Sequence, residues 1–156
     1  MFYLKLIRNY GDYMELIAKT FTELSVDELY EIIKSRAEVF LLEQGIVCQD
    51  LDDVDRDSLH CFFADGGRVV AYLRGFRSGE DAVTIGRVLT LDHGKGIGTQ
   101  LMKKSIEEIK NRYGCTKVCL HAQKQAVRFY EKLGFEVVSD EFLEEGVVHV
   151  SMEKHI

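Results

Sequence analysis

Hydrophobic positions along this chain fall into two periods, and the places where one gives way to the other mark its elements. Glu15 to Phe21 reads as a first strand. Ser25 followed by Glu28 is a capping-box pair, and Leu29, Ile32, Ile33 and Phe40 after it share one helical face. This predicts a helix that runs out near Glu43-Gln44-Gly45, followed by an irregular, acidic stretch up to His60. His60 to Ala64 reads as a strand. Gly66-Gly67 turns it into a second over Arg68 to Phe76, and Gly79-Glu80-Asp81 turns that into a third ending at Thr90. The period then changes at once, with Ile97, Leu101, Met102, Ile106 and Ile109 at helical spacing from about Gly96 to Tyr113 and Gly114 as the stop. A strand at 116–121, a helix at 124–133, and strands near 136–139 and 147–153 complete the pattern. Strands that come both in hairpins and after helices predict a single α/β domain built on a mixed sheet.

The segment from Ile85 to Lys104 carries the strongest chemical signal. A β-branched strand runs into three alternating glycines, Gly94, Gly96 and Gly98, and then directly into a helix. Glycines let the backbone approach a ligand closely, and a helix start adds unsatisfied N–H groups and a partial positive charge. Such a turn suits a phosphate or pyrophosphate, the alternative being a glycine turn with no ligand. Two common nucleotide signatures are absent. No GxxxxGK followed by Ser or Thr occurs, and the glycines follow a GxGxG order with Thr99 at the sixth position. The next strand ends in His121-Ala122, where a dinucleotide site needs an acid.

Composition narrows the classes. A 46% hydrophobic and 29% charged chain of 156 residues is large enough for a sizeable core. The net charge of −6, from 20 basic and 26 acidic residues, argues against a nucleic-acid partner. No apolar run reaches the roughly 18 residues of a membrane span. Cys48, Cys61, Cys115 and Cys119 have no CxxC spacing, so neither a metal site nor a disulfide framework is expected, and a reducing, cytoplasmic setting fits. Asp53, Asp55 and Asp57 imitate the start of a calcium loop, but Ser58 and Ala64 stand where that loop needs Gly and Glu. Residues 1–13 fit no part of the pattern, and Met14 would serve as a start, so they are expected to be a leader or tag-like extension.

Read together, RVLTLDHGKGIG and AVRFYEKLGF resemble the two halves of the coenzyme A site of GNAT acyltransferases. EVFLLEQG at 38–45, DLDDVDRDSLH at 50–60 and EEGVVHVSM at 144–152 look like the ElaA-like branch of that superfamily. The resemblance covers roughly residues 14–156. It implies a mostly antiparallel mixed sheet flanked by helices, with acetyl-CoA as acyl donor and a primary amine of a small molecule or peptide as acceptor. A non-catalytic acyl-CoA binding or sensing domain is the alternative. The expectation extends to a homodimer, with no membrane or metal involved.

By resemblance, Val88, Leu89 and Thr90 pair their backbone with the pantetheine arm, and the strand there lends an N–H to the thioester oxygen. Gly94, Lys95, Gly96, Ile97, Gly98 and Thr99 hold the pyrophosphate, and Gln123 reaches the same ligand. The loop before them is about two residues shorter than in relatives, and His93 stands where Arg or Gln is common. Tyr130 faces the sulfur as general acid, a phenol of pKa about 10 against a thiolate of about 8.5. His60, His149 and Glu43 are the candidate bases, and Gln44, Asp52 and Arg87 the candidate acceptor contacts. Glu43, Asp50, Asp52, Asp53, Asp55 and Asp57, against Arg56 alone, suggest an acidic rim that draws a cationic amine. Glu141, Glu144 and Glu145 would extend that rim.

Overall fold

A computed structural model describes residues 13–156, so the expected leader lies outside the described residues except for Tyr13. Eight strands form one sheet, β1 (Ile17–Thr20), β2 (Leu59–Asp65), β3 (Arg68–Arg77), β4 (Ala82–Thr90), β5 (Lys117–Gln123), β6 (Glu136–Val137), β7 (Phe142–Glu144) and β8 (Val147–His155). Their order is β1-β2-β3-β4-β5-β8-β6, with β7 also on β8. Only β4 and β5 run parallel; every other pairing is antiparallel. The parallel pair needs a long crossover, and the helix α2 (Ile97–Tyr113) supplies it.

The helix α1 (Val26–Arg36) starts as the sequence predicts. Ser25 Oγ accepts from the Glu28 N–H, and the Glu28 carboxylate accepts from the Ser25 N–H. The helical run to Glu43 is present, but from Ala37 to Glu43 it widens to π winding, closed by a Gln44 N–H to Val39 C=O bond of 2.9 Å. Such segments recur at functional sites. Here the winding keeps Val39 in the core.

Helices cover both faces of the sheet. Ile97, Leu101, Met102 and Ile109 of α2 are buried against Leu73, Val83 and Val118 on one face. Ile32 and Val39 pack with Phe62, Val69, Tyr72 and Leu89 on the other. Each such aliphatic side chain contributes about 1.5–3 kcal/mol by leaving water. β2 is therefore buried along both faces, Cys61 and Phe63 on one side and His60 and Phe62 on the other. The strand β7 is absent from the sequence-based expectation. Its two-residue turn, Glu145-Gly146, has positive φ at both positions (49° and 74°), as a tight hairpin requires. Glu is a poor residue for that conformation, so the turn has a weak sequence signal.

Two features of β4 shape the site. Its pairing with β5 ends at Ile85–Leu120, and beyond that point the strands part. On the other side its register with β3 shifts, Arg74 facing Gly86 and Tyr72 facing Leu89, so that Arg87 and Val88 together oppose Leu73. That is a bulge, and bulges bend a strand and re-aim its groups.

Candidate active site

Two cavities open where β4 and β5 separate. The smaller, about 380 Å³, lies over Val88, Leu89 and Thr90 and the start of α2. The larger, about 530 Å³, lies between β4, β5, the β7–β8 turn and the segment 46–52. Both are lined by Gln44, Val88, Ala126 and Tyr130, so these four residues stand at the junction.

The smaller cavity gathers most of the residues expected to hold the cofactor. Gly94, Gly96, Ile97, Gly98 and Thr99 line it with the three strand residues. Gly94 and Gly96 sit at φ 75° and 73°, a left-handed conformation that glycine adopts without a Cβ clash. A Cβ at Gly94 would meet no atom within 4 Å, so the floor of the loop is open to a ligand. The last left-handed residue is directly followed by the free N–H groups of a 17-residue helix. These features suit the pyrophosphate of an acyl-CoA. Lys95 does not line the cavity; it turns outward to Asp92 at 3.4 Å. Gln123 belongs to the larger cavity, where it donates to Gln44 Oε1 at 3.0 Å.

Tyr130 lies on α3 (Val127–Lys132), packed edge-on to Phe129 and Phe135. It is 8% exposed, and its hydroxyl has no hydrogen-bond partner among the described residues. Burial pushes its pKa up to about 12, so the phenol stays protonated and can donate.

The three candidate bases separate sharply. His60 is buried away from both cavities. Its Nε2 lies 2.8 Å from the Asp55 carbonyl and its Nδ1 2.8 Å from the Tyr72 hydroxyl. A carbonyl only accepts, so Nε2 carries the proton and Nδ1 accepts from Tyr72, and burial holds the pKa below its ordinary 6.5. The expectation of a base at His60 is corrected by this placement, because neither nitrogen is free for a substrate. Glu43 lines neither cavity, and its Oε1 pairs with His93 at 2.8 Å, so the structure does not bring it to the acceptor side as expected. His149, buried in β8, lines the larger cavity. Its Nδ1–H donates to the Val147 carbonyl at 2.7 Å, which leaves Nε2 turned toward Glu144 at 3.6 Å.

Glu144 also receives His121 Nδ1 at 2.9 Å, so one carboxylate stands between two histidines. Neither Glu144 nor His121 was expected to act together with His149. Strand register brings His121 to this face: Gln123 faces His149 and His121 faces Ser151 across β5 and β8, which puts those four residues on one side of the sheet.

The acidic rim is also corrected. Asp50, Asp52 and Asp55 do not stand free but interlock with Arg36, Arg74 and Arg87. Arg36, 1% exposed, donates to Asp50 Oδ2 at 2.9 Å and Asp55 Oδ1 at 2.7 Å. Arg74 grips Asp55 and both oxygens of Asp52, and Arg87 donates to Asp50 Oδ1 at 2.9 Å. Three guanidiniums face three carboxylates, and the cluster is neutral. Burial raises the Asp55 pKa, but hydrogen bonds and charge from Arg36 and Arg74 outweigh it and hold the carboxyl below the usual range. The hydrogen bonds from Arg74 do the same for Asp52. Gln44, Asp52 and Arg87 all line the larger cavity, Asp52 and Arg87 as part of this network.

Residues 12–156 match the acetyltransferase (GNAT) domain family. This chain is a member of the GNAT acetyltransferase family. ElaA of Escherichia coli K12 is 34% identical over 141 residues, 86% of this chain and 92% of that protein. The crystal structure of E. coli ElaA superposes with a TM-score of 0.84 at 32% identity, covering 91% of this chain and 99% of that one. An acyl-CoA N-acyltransferase from Pseudomonas aeruginosa gives 0.84 at 31% identity, covering 90% and 99%. Membership makes the chain an acyltransferase enzyme, in preference to the non-catalytic binder.

Proposed function

We propose that this enzyme moves an acetyl group from acetyl-CoA to a primary amine of a small molecule or peptide. The observation that carries the reading is the meeting of the two cavities at Val88 and Tyr130, with His149 facing them from the acceptor side. Backbone N–H groups at the bulge polarise the thioester carbonyl. His149 Nε2 takes a proton from the acceptor ammonium, and the resulting imidazolium is stabilised by Glu144. The neutral amine attacks the carbonyl, the C–N bond forms and the C–S bond breaks. The buried Tyr130 hydroxyl hydrogen-bonds the departing sulfur and passes it a proton, and the proton that the amine nitrogen loses as the amide forms restores the phenol. The products are the amide, free coenzyme A and one proton released from His149.

With Asp50, Asp52 and Asp55 neutralised and neither Asp53 nor Asp57 lining the larger cavity, attraction of a cationic acceptor falls to Glu144 and Glu145 on its wall. Four free thiols support a reducing, cytoplasmic setting. The test is thiol release from acetyl-CoA over a panel of diamines, aminosugars and basic and neutral peptides. Cationic acceptors should give the highest kcat/KM, falling as salt rises. If acetyl-CoA binds by calorimetry but no amine raises thiol release above hydrolysis, the transfer reading is wrong.

A further inference from the structure

The one non-glycine residue of the described strands held at positive φ is Arg87, at 55°, at the β4 bulge on the wall of the larger cavity. An L-residue avoids that region because its Cβ crowds the following carbonyl, and it persists there only when its surroundings enforce it. The enforcing contacts are visible. Arg87 Nε donates to Asp50 Oδ1 at 2.9 Å, and Nη2 donates to the Asp50 carbonyl at 3.0 Å and reaches Asp52 Oδ2 at 3.5 Å. Asp50 is fixed in turn, because the buried Arg36 donates to its other carboxylate oxygen at 2.9 Å and to the same carbonyl at 2.7 Å. Arg36 is anchored by Asp55, which Arg74 of β3 also grips. A rigid chain of charges thus runs from the core of α1 to the side chain of the one strained strand residue.

Side chain and backbone at residue 87 serve different ends. The guanidinium is engaged through Nε and Nη2 by Asp50 and Asp52, whereas the backbone of Arg87 and Val88 lies beyond the last β4–β5 pair, and both residues line the cavity. We propose that Asp50, held by Arg36, is a positioning residue that tethers Arg87 in the left-handed conformation and so fixes the bulged backbone that polarises the thioester carbonyl. The inference rests on the acyl-transfer reading of the site.

Comparing Arg87→Ala with Arg87→Gly isolates this role. Both variants lose the guanidinium and whatever it does for an acceptor, but only alanine is driven out of the left-handed region. Alanine should therefore populate the bulge about ten-fold less than glycine and show about ten-fold lower kcat, with similar KM for acetyl-CoA. The same difference should appear without any acceptor in the infrared spectrum of bound acetyl-CoA carrying a ¹³C carbonyl. The carbonyl stretch should shift to lower wavenumber in wild type and Arg87→Gly, and lie close to its solution position in Arg87→Ala. Asp50→Asn should weaken the shift when Arg87 is present and have little further effect in the Arg87→Gly background. Equal kcat and equal carbonyl shift in the alanine and glycine variants would overturn the tether. A wild-type carbonyl shift without transfer to any amine would overturn the transfer reading and leave the tether standing.

Discussion

Two aromatic hydroxyls show how burial alone assigns different work to the same side chain. Tyr72 is fully buried with its hydroxyl on His60, and Tyr130 is almost as buried but opens onto both cavities without a partner. Since burial pushes the Tyr130 pKa up to about 12, the phenol is protonated at neutral pH and available as a donor. Tyr130→Phe should lower kcat about ten-fold or more with little change in acetyl-CoA affinity, as expected for loss of a general acid. An unchanged kcat in steady-state assays would make the ring a packing element only. His60 carries a stability prediction instead. Its pKa is lowered in the fold by burial, so above 6.5 the ring is neutral in both states and its contribution is fully present. Below 6.5 the unfolded chain takes up a proton that the folded one resists, and stability falls. Melting temperatures measured from pH 7.5 to 5 should decline in wild type and decline less in His60→Gln, whatever the offset between the two curves.

Within the elements, the glycine loop and α2 form one unit whose geometry depends on Gly96. This residue stands at the N-terminal end of α2 with φ 73°, facing the smaller cavity. Glutamate there would be strained in the backbone and would set a negative charge where phosphate is expected. Gly96→Glu should remain folded, because the loop is exposed, and should lose acetyl-CoA binding by calorimetry. Unchanged affinity in the folded variant would move the pyrophosphate site elsewhere. On the acceptor side, the π winding after α1 has a comparable part. It ends at Gln44, which touches both cavities and meets Gln123 from β5.

Across the whole molecule, the arginine–aspartate cluster joins α1, the 50–57 segment, β3 and β4 into one body. Deleting one charge of such a buried set strands its partners and costs about 3–5 kcal/mol. Asp55→Asn should lower the urea midpoint accordingly, since Arg36 and Arg74 both lean on that carboxylate. The acid dependence has a definite sign. The Asp55 pKa is depressed in the fold, so its contribution is present above the ordinary value of 3.8 and is lost as pH falls below it through the folded value. Wild type should therefore lose more stability than the variant between neutral pH and pH 3; parallel curves would show that the cluster carries no net stabilising charge interaction.

The elements of the proposed donor side were legible in the residues themselves. A strand, a positive-φ glycine loop and a helix start are local properties, set by a change of hydrophobic period and by residues that lack a Cβ, and they lie within some twenty consecutive positions. Tyr130 and the family resemblance rest on similarly contiguous runs. The acceptor side was decided by tertiary structure. Arg87 and Asp50 are 37 positions apart, Arg36 and Asp55 are 19 apart, and His121 meets Glu144 across 23. Read in sequence, the acids between Asp50 and Asp57 are a free negative rim, because composition records charge but not partners. Only the fold brings three arginines from α1, β3 and β4 against Asp50, Asp52 and Asp55. Other tertiary contacts engage both nitrogens of His60 and set Glu43, outside both cavities, against His93, while His149 lines the larger cavity. A base needs a free lone pair, which strand register and packing determine.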